Sequence, residues 1–142
     1  MLYDDIEDPE STTPAELRVA YLSELATVIA EVGAPTVADR SDVARETIDA
    51  IAAGEEPTVE LEAAAAVLAV AEDTPPADAI LLETRDHLLM GMTTAVLDVD
   101  TIAVEMDGMD AKQIQQKIEG RAPMTLGEFA RLQHFIASRN DR

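Results

Sequence analysis

Cysteine and tryptophan are absent from the 142 residues, and lysine occurs only twice. Without cysteine the chain has no disulfide, no thiolate nucleophile and no thiolate metal site. Two histidines, His87 and His134, are too few to suggest a metal cluster. Aromatic residues make up 3% of the chain, so its core has to be built from Ala, Val, Leu, Ile and Met. Each of these buries little area, and the core is finely divided. No run approaches the roughly 18 consecutive apolar residues of a membrane span. The opening MLYDDIEDPESTTP lacks the charged-then-apolar order of a signal peptide. Also missing are a glycine-rich phosphate loop, a Ser-His-Asp order and a metal-ligand spacing. Paired carboxylates are everywhere and single out nothing. Neither an enzyme nor a cofactor is expected.

What is abundant is acid. There are 29 Asp and Glu against 10 Lys and Arg, a formal charge of −19, yet 47% of residues are hydrophobic. Acidic disordered chains are usually poor in hydrophobics, and this one is not. A fold with this charge repels itself unless salt screens it; the Debye length is about 10 Å at 0.1 M and about 3 Å at 1 M. Eight Arg against two Lys, with many Asp, Glu, Ala, Val and Thr, resembles a haloarchaeal proteome. The composition reads as a halophilic, cytoplasmic protein.

Periodicity and caps predict an all-α fold. Residues 1–12 are acidic and aperiodic and read as a flexible tail. Thr13-Pro14-Ala15-Glu16 caps a long helix that Gly33 closes. Thr36 can cap a short helix, Gly54 ends the one after it, and Thr58 can cap VELEAAAAVLAVAE. Asp73-Thr74-Pro75-Pro76 reads as a linker. A second long helix over about 77–97 follows, then a short one capped by Asp100. Asp110 caps AKQIQQKIE, and Thr125 with Glu128 forms a capping box for LGEFARLQHFIAS. The order repeats: Gly54 and Pro57 recur as Gly120 and Pro123, 66 residues later, with Ile48 and Ile114 at the same offset. We therefore expect two helical units in quasi-repeat, 13–73 and 74–142.

VADRSDVARETIDAIAAGEEPTVELEAAAAVLAV resembles the helix-turn-helix of the Cro/C1-type (phage-repressor-like) family. Ala38 matches the small residue of its second helix, Val43, Ile48 and Ile51 the inner face, and Gly54, Pro57 and Thr58 the exit. Asp42 stands where the family usually turns on glycine. IAVEMDGMDAKQIQQKIEGRAPMTLGEFARLQHFI resembles a second copy, with Gly108 at the turn, Met109 after it, and Ile114 and Ile118 inside. Val104 departs from the usual small residue.

The resemblance makes Ala111–Glu119 a recognition helix, and both lysines of the chain fall in or beside it. Lys112, Gln113, Gln115, Gln116, Lys117 and Arg121 are the candidate DNA-binding residues. Gln reads adenine by paired hydrogen bonds, Lys reads guanine or phosphate, and Arg121 past the helix end suits phosphate. Residues 111–142 hold six cations (Lys112, Lys117, Arg121, Arg131, Arg139, Arg142) and three anions, a local +3 in a chain of −19. The corresponding face of the first unit, Arg45, Glu46 and Asp49, is acidic and suits a structural or dimerising role. The expected function is a sequence-specific DNA-binding transcriptional regulator. The alternative is a protein-protein interaction module on the same scaffold without DNA, its partner engaging the acidic first unit. A homodimer is expected, through the long helices or the alanines 63–66.

Self-repulsion has a measurable consequence. The melting temperature should rise by several degrees between 0.1 M and 1 M KCl, since about 1 kcal/mol moves the Tm of a domain this size by roughly 3–5 °C. A flat or falling Tm over that range counts against charge repulsion as the main destabilising term.

Overall fold

In the computed structural model, which describes residues 1–141, every regular element is a helix. A 3-10 turn at Pro9–Ser11 precedes α1 (Pro14–Val32), α2 (Ala34–Ser41), α3 (Arg45–Ala52) and α4 (Leu61–Leu68). Then come α5 (Ala77–Ala95), α6 (Val99–Glu105), α7 (Ala111–Ile118) and α8 (Leu126–Asn140). No single helix is long and apolar enough to cross a membrane.

Most helix starts are set by local chemistry. Thr13 Oγ1 accepts the Glu16 N–H at 3.1 Å, and Pro14 occupies the first turn of α1. Asp110 with Gln113, and Thr125 with Glu128, form complete capping boxes on α7 and α8. Three expected caps move. Thr36 lies inside α2, which begins directly after Gly33 with Pro35 in its first turn, where a missing N–H costs nothing. Asp98, not Asp100, caps α6 by accepting the Thr101 N–H at 2.8 Å. Thr58 lies outside α4, which begins after Glu60. The reason is tertiary: Leu61 N–H donates to Met124 O at 2.7 Å and Leu126 N–H to Val59 O at 2.8 Å. This antiparallel bridge keeps the chain extended just before α4 and just before α8.

Residues 1–12, expected as a flexible tail, are docked. Leu2 and Pro9 are buried, and Ile6 packs against the core. The His134 ring Nε2 lies 2.9 Å from Pro9 O and 2.6 Å from Thr12 O. Leu2, Ile6 and Pro9 are spaced at i, i+4 and i+7, but among five acids in twelve residues this run is too short and too charged to announce a packing face.

The two halves correspond in element order. α1 and α5 are both 19 residues long and bury matching positions: Leu17, Tyr21, Leu25 and Ile29 against Ile80, Thr84, Leu88 and Met92. α3 and α7 are both 8 residues long and end in the same turn. Glu55 N–H reaches back to Ala50 O at 3.0 Å, and Arg121 N–H to Gln116 O at 2.8 Å. Gly54 and Gly120 carry the φ of +80° that this turn demands. Asp42 supplies the left-handed turn that Gly108 supplies in the second half, at φ 59° and 92°. The packing of the halves differs. α2 lies against α1, α3 and α4, whereas the backbone of α6 comes close to α7 alone among the described helices.

The halves share one core. α8 packs on α1 and α4 on α5; Tyr21 of α1 meets Phe129 of α8 with ring centroids 5.5 Å apart. Asp73–Pro76 thus joins two parts of one body, and Thr74 Oγ1 ties it to Ala71 O at 2.6 Å. Ala64 and Ala65, expected at a dimer contact, are buried within the chain, where α4 lies against α1, α2 and α5.

Gly91 marks the closest approach of α5 and α8. A Cβ there would lie 2.7 Å from Ile136 Cγ2, and Asn140 Nδ2 donates to Gly91 O at 3.0 Å. Gly91→Ala should cost about 1–3 kcal/mol by overpacking, outweighing the roughly 1 kcal/mol gained in helix propensity. In an Ile136→Ala background the same substitution should cost nothing or stabilise. Urea unfolding of the four chains reads the difference; equal costs in both backgrounds would show that the contact does not govern the position.

Candidate nucleic-acid interface

α7 stands at the edge of the molecule, its backbone close only to α5 and α6. Ile114 and Ile118 are buried and fasten it. Lys112, Gln113 and Gln115 are exposed, Gln116 and Lys117 are half-buried, and Arg121 is exposed beyond the helix end. The six candidates are therefore neighbours, on or next to one short helix, and their side chains are engaged to different degrees.

Lys117 is committed inside the chain. Its ammonium lies 2.5 Å from Glu128 Oε2 on α8, and its side chain is only 17% exposed. Glu128 also accepts the Thr125 N–H through Oε1, at 2.9 Å. Burial works against ionisation of Glu128, but the Lys117 ammonium and the Thr125 bonds outweigh it and hold its carboxyl below the usual range. Lys117 is thus a bridge from α7 to the start of α8.

Gln113 closes the α7 capping box by accepting the Asp110 N–H at 3.0 Å. Gln115 Nε2 donates to Glu119 Oε1 at 2.9 Å. Arg121 pairs with Glu119 Oε2 at 2.6 Å, on the surface. Among the described residues Lys112 has no ion-pair partner, and Gln116, one turn on along the same face, has no side-chain hydrogen bond. Arg142, counted among the cations of this region, lies outside the described residues.

Two further arginines shape the site. Arg131 on α8 donates to Asp107 O at 2.5 Å and braces the turn before α7. The Arg85 guanidinium of α5 lies over Gly120, where a Cβ would be 2.7 Å from its Cζ. Both contacts join residues distant in the chain, and no local pattern announces either. In the first unit, Arg45 Nε meets Asp49 Oδ1 at 2.9 Å beside exposed Glu46, so the α3 face carries a net negative charge.

Residues 17–139 match a family described as "Family of unknown function (DUF5791)", and the chain belongs to that family. No curated protein and no solved structure matches it.

The Lys117–Glu128 pair sets a pH dependence. A carboxyl whose folded pKa is depressed contributes stability that is fully present above its unfolded pKa of about 4.3 and is lost as pH falls through the folded value. Glu128→Gln should therefore cost about 1 kcal/mol at pH 7, and the gap to wild type should close below about pH 4. Urea midpoints at pH 7 and pH 3 measure both; a gap that persists undiminished at pH 3 rules out the ionic contribution.

Proposed function

We propose that this family member is a sequence-specific DNA-binding regulator that reads its target with the outer face of α7. The observation that carries the reading is the placement of α7: a capped, peripheral eight-residue helix that follows a short helix and a glycine turn, with unpartnered Lys112 and Gln116 one turn apart on its surface. Resemblance to the Cro/C1-type helix-turn-helix supports the same assignment. Lys112 and Gln116 are the base-reading candidates, Lys to guanine or phosphate and Gln to adenine.

The other candidates take secondary roles. Arg121 serves phosphate, because its surface pair with Glu119 is worth at most about 1 kcal/mol and a phosphate oxygen can displace it. Gln113 and Gln115 reach DNA only by giving up hydrogen bonds to their own helix. Lys117 positions α7 and leaves direct readout to the others. The first half keeps the scaffold, with an acidic α3 that phosphates would repel. A dimer that doubles the reading helices cannot use Ala64 and Ala65, which are buried in their own chain, and has the outer faces of the long helices or half-exposed Ala63 and Ala66 open to it. The acidic surface fits a halophilic, cytoplasmic setting, in which counterion release contributes little and direct contacts have to discriminate. The alternative, an interaction module without DNA, is favoured by the net negative α3 face.

Binding selections on random duplexes at fixed high salt test the proposal. Gln116→Ala should relax preference at one base position, by about 1–3 kcal/mol, and Lys112→Ala should do so at a neighbouring one. Arg121→Ala should weaken all sites about equally. Absence of duplex binding by wild type removes the DNA reading and leaves the interaction module.

A further inference from the structure

At three corresponding positions the second half of the chain carries larger apolar side chains than the first. Leu89 is the thirteenth residue of α5, and its counterpart in α1 is Ala26. Val99 begins α6 where Ala34 begins α2, and Ile118 ends α7 where Ala52 ends α3. In the second half the larger side chains surround a notch of about 250 Å³, lined by Leu89, Met92, Val99 and Ile118 and edged by Gln115 and Glu119.

Next to this notch runs an uncovered apolar stripe. Leu82 and Leu89 lie seven residues apart on one face of α5, Val96 follows seven residues later just past its end, and the three are 61%, 44% and 90% exposed. Residues seven apart lie on the same side of a helix, so Leu82 and Leu89 present one apolar row to solvent. Val96 is the informative member. It ends α5 in the left-handed region, at φ 55° and ψ 49°. A β-branched residue is strained there, and glycine or asparagine would be cheaper. Gly33, at φ 101°, occupies the matching end of α1. The chain thus keeps an apolar, branched side chain in solvent at a place where its own backbone disfavours it. Nothing inside the fold gains from that arrangement.

We propose that the outer face of α5, with the adjoining notch, docks an amphipathic helix of another protein. The occupant has apolar anchors at heptad-like spacing, one of which fills the notch, and Lys or Arg along its edges. The edge chemistry follows from the exposed acids around the stripe: Glu83 and Asp86 on α5, Asp98 and Asp100 at the start of α6, and Glu119 on α7. A second copy of this chain would set those acids against their own kind in a molecule of charge −19. The notch takes Gln115 and Glu119 from the side of α7 that also carries Lys112 and Gln116, while Leu82, Leu89 and Val96 belong to α5 and its end.

The test uses the full chain and a fluorescent helical peptide of about 20 residues with a leucine seam and lysine edges. The peptide should bind in the micromolar range, and a version with glutamate edges should not. Val96→Asn should raise the Tm by relieving the backbone while weakening peptide binding at least ten-fold. Leu89→Gln should weaken it similarly. Four results would overturn the proposal: no binding of the lysine-edged peptide; equal binding of both peptides; a lower Tm for Val96→Asn, which would give the valine an internal role; or a wild-type dimer that Val96→Asn dissociates, which would make a second copy the occupant.

Discussion

Two hydrogen bonds organise this molecule: Leu61 N–H to Met124 O and Leu126 N–H to Val59 O. They tie together the extended residues that precede α4 and α8, so the two helices start side by side. From there α8 lies along α1 and α4 along α5, and the halves interlock in a single hydrophobic cluster. α7 is left at the margin, its backbone close only to α5 and α6 among the described helices. The bridge also explains a local anomaly: Glu60 begins α4 without a side-chain cap because its neighbours are held by the opposite strand segment, while Thr125 on that segment keeps a full capping box.

A chain this acidic uses its few cations as fasteners. Arg18 donates to Glu56 O at 2.9 Å and Pro57 O at 3.0 Å and holds the loop before α4. Arg139 of α8 reaches Glu105 of α6 at 3.3 Å, and its guanidinium also lies 5.0 Å from the Phe135 ring. Arg131 braces the turn before α7, and Lys117 links α7 to α8. In a low-dielectric or partly buried place an unpaired cation would be costly, and each of these four has a carboxylate or carbonyl partner. The cation-rich C-terminal region therefore has two explanations that operate together. Among the described residues, part of it staples helices, while Lys112 has no ion-pair partner and Arg121 pairs with Glu119 on the surface.

The asymmetry between the halves gives them different capacities. In the first, α2 lies against α1 and α4, and α3 turns an acidic face outward. In the second, α6 stands off from α5 and α8, which leaves the notch beside Leu89 open and Val96 in solvent. The same series of elements thus packs differently in the two halves, and side-chain volume differs at a few corresponding positions.

The sequence by itself determined the helices, their order and most of their ends. Capping boxes, left-handed glycines and 3.6-residue apolar spacing act within a few residues of chain, so Asp110–Gln113, Thr125–Glu128, Gly54 and Gly120 were all legible. It also indicated which helix carries the amides and lysines. Only the tertiary structure decided which of those side chains remain free. Lys117 meets Glu128 eleven residues away, and Arg131 meets residue 107 across a turn, because helix packing brings them together and no local rule does. The same applies to Leu2 and Pro9, apolar residues in an acidic segment whose burial depends on a surface formed by distant helices. Alanines 64 and 65 carried an equal ambiguity: small residues permit close approach to any helix, and the fold settled that the helices they meet belong to their own chain.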